Sequence, residues 1–432
     1  SPETLDQICR TVSIPNMAAR ETEEELFEGN PVDYIRRDLE GSNSDTRRRA
    51  ASDLIKGLCQ TFDAEVSAIC LRSVEEMFKA HAANVADWRP KDAALTLLIA
   101  LAVRKETRAR GVSEVNPRVN VLDIAQKVVL PELGAADVNA NGILIATCLK
   151  FLMTFRNQLD PQTLGAMVPA VARFLACKHY VVHSYAAILL DRVFAVKLAG
   201  AAAVPAEVVT AQLPTVVAGL LNIMITPNYP ENEYLMKALM RVVSGGGAAM
   251  LPLAGEVLTK LTHVLGLVTA NPSQPVFNHY LFETLAALLK AVCAASPGPD
   301  AVNKFEAMLF PPFQVVLSKE VSEFLPYVFQ ILALLLELRP PPAPNAEVTL
   351  SPAYQALLKA LMKVELWDAR GNIPALVTLL MVYLHKCPTQ VVASGTHMPI
   401  LGVFQKLVAA RFSEDSAFKL LSSVLLHLPL WV

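Results

Sequence analysis

Histidine, cysteine and carboxylate side chains build metal sites and acid–base centres, and the sequence offers two places to look for them. In CKHYVVH, Cys177, His179 and His183 lie close together, with the two histidines four apart, as on one helical face of a zinc site. The stretch crosses from one apolar helix pattern to the next, no acid stands beside the pair in sequence, and no second ligand pair follows elsewhere. It reads as helix-boundary histidines, and no metal is expected. Glu233, Glu283 and Glu323 recur near helix starts and invite a paired-carboxylate mechanism, but acids in a first turn complement the helix dipole. There is no G-x-S-x-G. SGGGAAM at 244 lacks the Lys-Ser/Thr of a phosphate loop and reads as a turn after a helix C-terminus. No nucleophile, base and orienting group come together, so no catalytic residue, no enzyme activity and no cofactor are expected.

The charge itself is concentrated. Residues 21–49 hold nine acids (Glu21, Glu23, Glu24, Glu25, Glu28, Asp33, Asp38, Glu40, Asp45) and five arginines (Arg36, Arg37, Arg47, Arg48, Arg49). The stretch 21–45 reads as irregular, and Ser44 or Asp45 can cap a helix that follows. Arg47, Arg48 and Arg49 then sit in a first turn, against the dipole, at about 0.3–1 kcal/mol each if exposed. Two compensations are open. The arginines pair internally with Asp38, Glu40 and Asp45, or their planar forks meet acidic groups of a partner.

The elements that must position this stretch recur. Apolar helices begin near Thr46, Pro90, Asn141, Val181, Asn232, Phe277, Val321, Asn372 and Ser416, a mean spacing of about 46 residues. A second set, often opened by proline, lies between them near 168, 213, 251, 310, 351 and 398, and proline is harmless in a first turn. Apolar residues at i, i+3 and i+4, as in Leu235, Leu239 and Val242, fit helices, and no run keeps strand alternation. The fold class expected is all-α: a HEAT-repeat α-solenoid, a superhelix of antiparallel helix pairs stacked on their neighbours. The other irregular segments are 104–118, 197–207, 226–231 and the Pro-rich 339–346. The terminal LLHLPLWV lacks a polar cap, and the missing initiator Met points the same way, to a piece of a longer array.

Composition narrows the function. A formal charge of −2 on 432 residues gives no support to nucleic-acid binding. Seven scattered cysteines without C-x-x-C suit a reducing, intracellular setting. The longest uncharged run, 208–230, carries Pro214 and Pro227 and breaks where a membrane span should be continuous, so no membrane insertion is expected.

Longer strings carry a resemblance. LFEGNPVDYIRRDLEGSNSDTRRRAASDL is similar to the signature of the exportin-2 (cellular apoptosis susceptibility) family of β-karyopherins, and so are DWRPKDAA, VVHSYAA, ENEYLMKALMR, NPSQPVFNHYLFE and WDARGNIPAL, over essentially the whole chain. The resemblance implies a HEAT-repeat nuclear export receptor that binds importin-α cooperatively with Ran in its GTP form and releases it on GTP hydrolysis. GTP would sit on Ran, not on this chain. It also implies contact with nuclear pore proteins and shuttling between nucleus and cytoplasm. Residues 1–200 would be central repeats with a charged insertion at 21–49, and 201–432 repeats of the C-terminal region. The binding role falls on Asp33, Tyr34, Arg36, Arg37, Asp38, Glu40, Asp45, Arg47, Arg48 and Arg49. Alternatives are a generic HEAT scaffold and an import receptor without importin-α specificity.

Overall fold

The structure, a computed structural model, describes residues 2–40, 46–107, 111–344 and 346–428, with Glu40 by its backbone alone. The described chain is almost entirely helical and divides into two compact units. One is residues 1–226 with 237–242, the other 227–236 with 243–432.

The first unit opens with α1 (Pro2–Ile8), α2 (Glu21–Gly29) and α3 (Pro31–Ile35). Then follow α4 (Arg47–Thr61), α5 (Asp63–Ala83) and α6 (Arg89–Ala102). A hairpin, β1 (Val103–Thr107) and β2 (Gly111–Val115), leads to the short α7 (Val121–Ile124) and α8 (Leu130–Leu133). Next come α9 (Gly142–Phe155), α10 (Pro161–Ala172), α11 (Tyr180–Phe194), a two-residue ribbon β3 (Lys197–Leu198) and β4 (Ala201–Ala202), and α12 (Ala206–Met224). Helix α13 (Glu233–Gly246) contributes to both units. The second unit continues with α14 (Ala254–Ala270), α15 (Pro275–Ala295), α16 (Pro299–Ser318) and α17 (Leu325–Leu338). It closes with α18 (Pro352–Ala360), α19 (Ile373–Lys386), α20 (Pro388–Ala393), α21 (His397–Val408) and α22 (Glu414–His427).

The two sets of helices expected from the repeat form two layers. In the first unit α4, α6, α9 and α11 pack in succession, and α10 and α12 lie behind them. In the second, α15, α17, α19 and α22 pack in succession, backed by α14 and α16 and, at the far end, by α21. Each helix buries one stripe against its neighbours, as Leu376, Leu379, Leu380 and Tyr383 of α19 do at 0% exposure. Buried aromatic polar groups find partners inside the stack. Tyr383 donates to the Tyr354 carbonyl at 2.8 Å, and Trp367 Nε1 to the Leu361 carbonyl at 2.8 Å.

Several local expectations are corrected. Residues 21–40 are not irregular: Asn30 accepts from the Asp33 amide and starts α3, which runs on into a π-helical turn, Arg36–Glu40. Within 104–118, β1 and β2 pair antiparallel, in place of the expected plain turn. The pair is tied down by fully buried Asn116, whose amide group donates to Ser67 Oγ at 3.1 Å and to the Leu101 carbonyl at 3.3 Å. Proline opens α18 as expected, but Pro169, Pro214, Pro311 and Pro312 lie inside α10, α12 and α16. These helices begin earlier than the proline suggests, and each ring removes one helical hydrogen bond. Pro214 therefore does not break the apolar run. By length and composition α12 passes as long enough to span a membrane, yet Leu213, Val216, Val217, Leu220 and Leu221 bury one stripe of it against protein. Of the recurring acids, only Glu233 lies in a first turn; Glu283 is mid-helix in α15, and Glu323 precedes α17. After α13, Gly247 takes φ 49°, the turn expected of the glycine run.

Truncating Leu376 to alanine leaves a void between packed helices and is expected to destabilise the second unit by about 2–5 kcal/mol in chemical denaturation. A loss under about 1 kcal/mol would contradict the packing of α19 between α17 and α22.

Candidate partner-binding site

The charged stretch is built on two kinds of contact. Its first kind is internal. Thr46, rather than Ser44 or Asp45, caps α4, its hydroxyl accepting from the Arg49 amide at 3.2 Å. Ser44 and Asp45 lie outside the described residues. Arg47 and Arg48 then occupy the first turn with their guanidinium groups directed away from the helix axis. Arg47 donates to the carbonyls of Asn16 and Ala18, both at 2.8 Å, and pairs with Glu23 at 2.9 Å. Glu23 in turn accepts from the Arg20 amide at 2.9 Å, capping α2. Arg48 reaches Asp92 of α6 at 2.7 Å and Thr96 at 2.6 Å. Asp92 is fully buried, and its other oxygen accepts from Thr147 of α9 at 2.6 Å. Internal compensation is thus realised for these two arginines; Asp38 adds to it through its charge acting on Arg48, but makes no ion pair with either. The partners are Glu23 and Asp92, both near in space and far in sequence.

Asp38 is held in the same way. One oxygen accepts from Lys150 of α9 at 2.6 Å, the other from the Tyr185 hydroxyl of α11 at 2.6 Å. Burial raises its pKa, but the charge and hydrogen bond of Lys150 outweigh that, so the carboxyl sits below its ordinary value of 3.8. Asp92 goes the other way. Burial drives it above the ordinary carboxylate range against the pull of Arg48. Tyr34 is buried, edge-to-face with Phe27 at 5.2 Å between ring centroids, and burial raises its phenol pKa. It is a packing anchor of the stretch.

The second kind of contact is displayed. Arg36 is exposed and has no ion pair among the described residues. Arg37 pairs with Asp33 one turn away at 2.7 Å, both partly exposed. Arg49 is 44% exposed and only 3.9 Å from Asp53. Of the ten residues read as binding residues, Asp33, Arg36, Arg37 and Arg49 therefore face solvent. Tyr34, Asp38, Arg47 and Arg48 brace the stretch, and the side chains of Glu40 and Asp45 are not described.

The histidine cluster is dispersed. His183 is buried, its Nδ1 3.0 Å from the Cys177 carbonyl, and burial lowers its pKa. His179 lies 3.0 Å from Glu28, an acid that sequence distance hid, and 3.1 Å from the Asn139 carbonyl. Among the described residues no three metal-ligating side chains converge. Lys150, Tyr185, Asp92 and Thr147 were missed as parts of the charged site. Their only signal in sequence was a polar residue within an otherwise apolar stripe.

Paired helices in two layers with a braced charged segment define a HEAT-repeat scaffold. The model of the CAS/CSE protein C-terminus matches residues 191–432, and that of Cse1 residues 1–190. The chain belongs to the CAS/CSE family. It is 41% identical to exportin-2 of Xenopus laevis over 99% of this chain and 44% of that protein, and 39% identical to exportin-2 of Homo sapiens over 99% and 43%. The chain thus spans less than half the length of these curated relatives. Among solved structures, the exportin Cse1 in its cargo-free, cytoplasmic state superimposes with a TM-score of 0.81 at 30% identity, over 99% of this chain and 43% of that one. Lph2, a bidirectional nuclear transport receptor of S. cerevisiae, shares the fold at a TM-score of 0.72 and 15% identity, over 98% of this chain and 41% of that one.

Two measurements check the bracing. Arg48→Met strands the buried Asp92 and is expected to cost about 3–5 kcal/mol in thermal or chemical denaturation, while Arg48→Met with Asp92→Leu recovers much of it. Asp38 contributes stability above the ordinary carboxyl pKa of 3.8 and loses it as pH falls through its lower folded value. The stability gap between the native chain and Asp38→Asn is expected to be constant at neutral pH and to close in strong acid. A gap that widens in acid would reverse the sign of the shift.

Proposed function

We propose that the protein is a nuclear export receptor that binds importin-α cooperatively with Ran-GTP, carries it from nucleus to cytoplasm and releases it on GTP hydrolysis. The observation that carries the reading is the 41% identity to an exportin-2 that runs through 99% of this chain. Resemblance to the cargo-free exportin Cse1 along the same length supports it. The chain acts by binding. It performs no catalysis and holds no cofactor, and GTP belongs to Ran. It shuttles between the two compartments through contact with nuclear pore proteins, with no role for nucleic acid or membrane insertion. Residues 1–200 are central repeats and 201–432 repeats of the C-terminal region.

The charged stretch serves recognition in two roles. Asp33, Arg36, Arg37 and Arg49 meet the partners, and Tyr34, Asp38, Arg47 and Arg48 hold them in place. The test is capture of importin-α by the chain extended to the length of its relatives, with and without GTP-loaded Ran. Ran-GTP is expected to enhance capture, and Arg36→Glu with Arg49→Glu to weaken it by about tenfold or more with an unchanged melting temperature. Capture indifferent to nucleotide would favour a generic scaffold. Release by Ran-GTP would favour an import receptor.

A further inference from the structure

A cleft of about 280 Å³ opens beside the braced stretch, between the α3 region, α4, α6, α9 and α11. Six cations line it: Arg37, Arg48, Arg49, Lys56, Lys150 and Arg192. Against them stand three acids of the lining, Asp38, Asp53 and Glu106, and two beyond it, Asp33 on Arg37 and Asp92 on Arg48. Asp38 is committed to Lys150 and Tyr185, and Asp53 is shared at 3.8–3.9 Å between Lys56 and Arg49.

Arg192 is left over. Half-buried at the end of α11, it has no carboxylate within ion-pair distance among the described residues. Its neighbour Asp191 is held by Arg241 at 3.0 Å and Lys237 at 3.6 Å. A second guanidinium, Arg156, lies near enough to oppose its charge and also makes no ion pair among the described residues, Glu106 and Asp191 attracting both arginines only from beyond ion-pair distance. Arg156 donates to the Met153 carbonyl at 2.8 Å and lies so close over Gly111 that a side chain there would collide with it. Burial lowers the pKa of both arginines. Arg37 Nε and Arg48 Nε are buried as well, with no acceptor among the described residues. Half-buried like charges and orphaned donors are costly unless an anion completes them.

We propose that this cleft is a recognition pocket for an acidic side chain of a protein partner, its carboxylate reaching the Arg192 guanidinium. A side-chain carboxylate fits better than a free anion, because Ile99, Ala100, Val103 and Met153 line the same cleft and can cover a methylene stem. Arg192 lies well outside the charged stretch of the sequence. The assignment deepens the partner-binding reading and rests on it for the identity of the partner.

The test uses fluorescein-labelled hexaglutamate as probe, with binding read by anisotropy. The native chain is expected to bind it, Arg192→Gln to weaken binding about tenfold, and Glu106→Gln, which removes a competing acid, to strengthen it. Arg72→Gln, the same charge lost from an exposed position on α5, is expected to leave binding unchanged. The melting temperature of Arg192→Gln is expected to hold or rise, since an uncompensated charge is removed. No binding by the native chain overturns the proposal. So does equal weakening by Arg72→Gln, displacement of the probe by inorganic phosphate at the same concentration as by unlabelled peptide, or a fall in melting temperature for Arg192→Gln. If hexaglutamate behaves as expected while importin-α is never captured, the receptor reading falls and the pocket stands. If capture succeeds and hexaglutamate does not bind, the pocket alone falls.

Discussion

The ion pair between Arg48 and the fully buried Asp92 is the contact on which the charged end of the first unit depends. It joins the first turn of α4 to α6, and through Thr147 to α9, so three consecutive helices of one layer share a single polar node. A buried pair of this kind gains little over a well-packed apolar substitute. Its effect is on register. Helices that slide on apolar ridges can settle in neighbouring grooves, whereas a guanidinium and a carboxylate satisfy each other in one position only. Asp38 repeats the arrangement one layer position further on, tying the π-helical turn to α9 and α11 through Lys150 and Tyr185.

With these nodes made, Arg36 has no ion pair among the described residues, and Arg37 and Arg49 have only partly exposed carboxylates near them. Arg36, Arg37 and Arg49 lie close in sequence to residues held by contacts within the fold, Tyr34, Asp38, Arg47 and Arg48. Preorganised side chains lose less freedom on meeting a partner than those on a slack loop. The described parts of the segment that composition marks as surplus charge, residues 21–40 and 46–49, are largely helical. Its ordering groups and its displayed groups alternate along a few turns of chain.

Much of this was legible in the sequence. The spacing of apolar helices located α4, α6, α9, α11, α15, α17, α19 and α22, because stacking against neighbours demands the same apolar stripe in every unit. The long strings around residues 30–49 gave the family. What was not legible was pairing at a distance. Arg48 finds its acid 44 positions away and Lys150 its acid 112 positions away, and no local pattern records either. The nearer acids looked like natural partners only because sequence distance was the sole measure. Helicity at 21–40 was hidden for a related reason. Eight acids and few apolar residues depress the pattern, while α2 needs only Phe27, and α3 only Tyr34 and Ile35, to be buried.

The prolines inside α10, α12 and α16 make the two layers mechanically unequal. Each deletes an amide donor and leaves a carbonyl one turn back without its rung, while prolines in α6, α15, α17 and α19 stay in the opening turn. The layer of α4, α6, α9 and α11, and its counterpart of α15, α17, α19 and α22, keep an unbroken ladder of rungs. Each unit then resembles a laminated spring, with one stiff leaf and one compliant leaf glued along an apolar seam. A cut ladder resists bending less than an unbroken one, so the proline-bearing layer is the softer of the two.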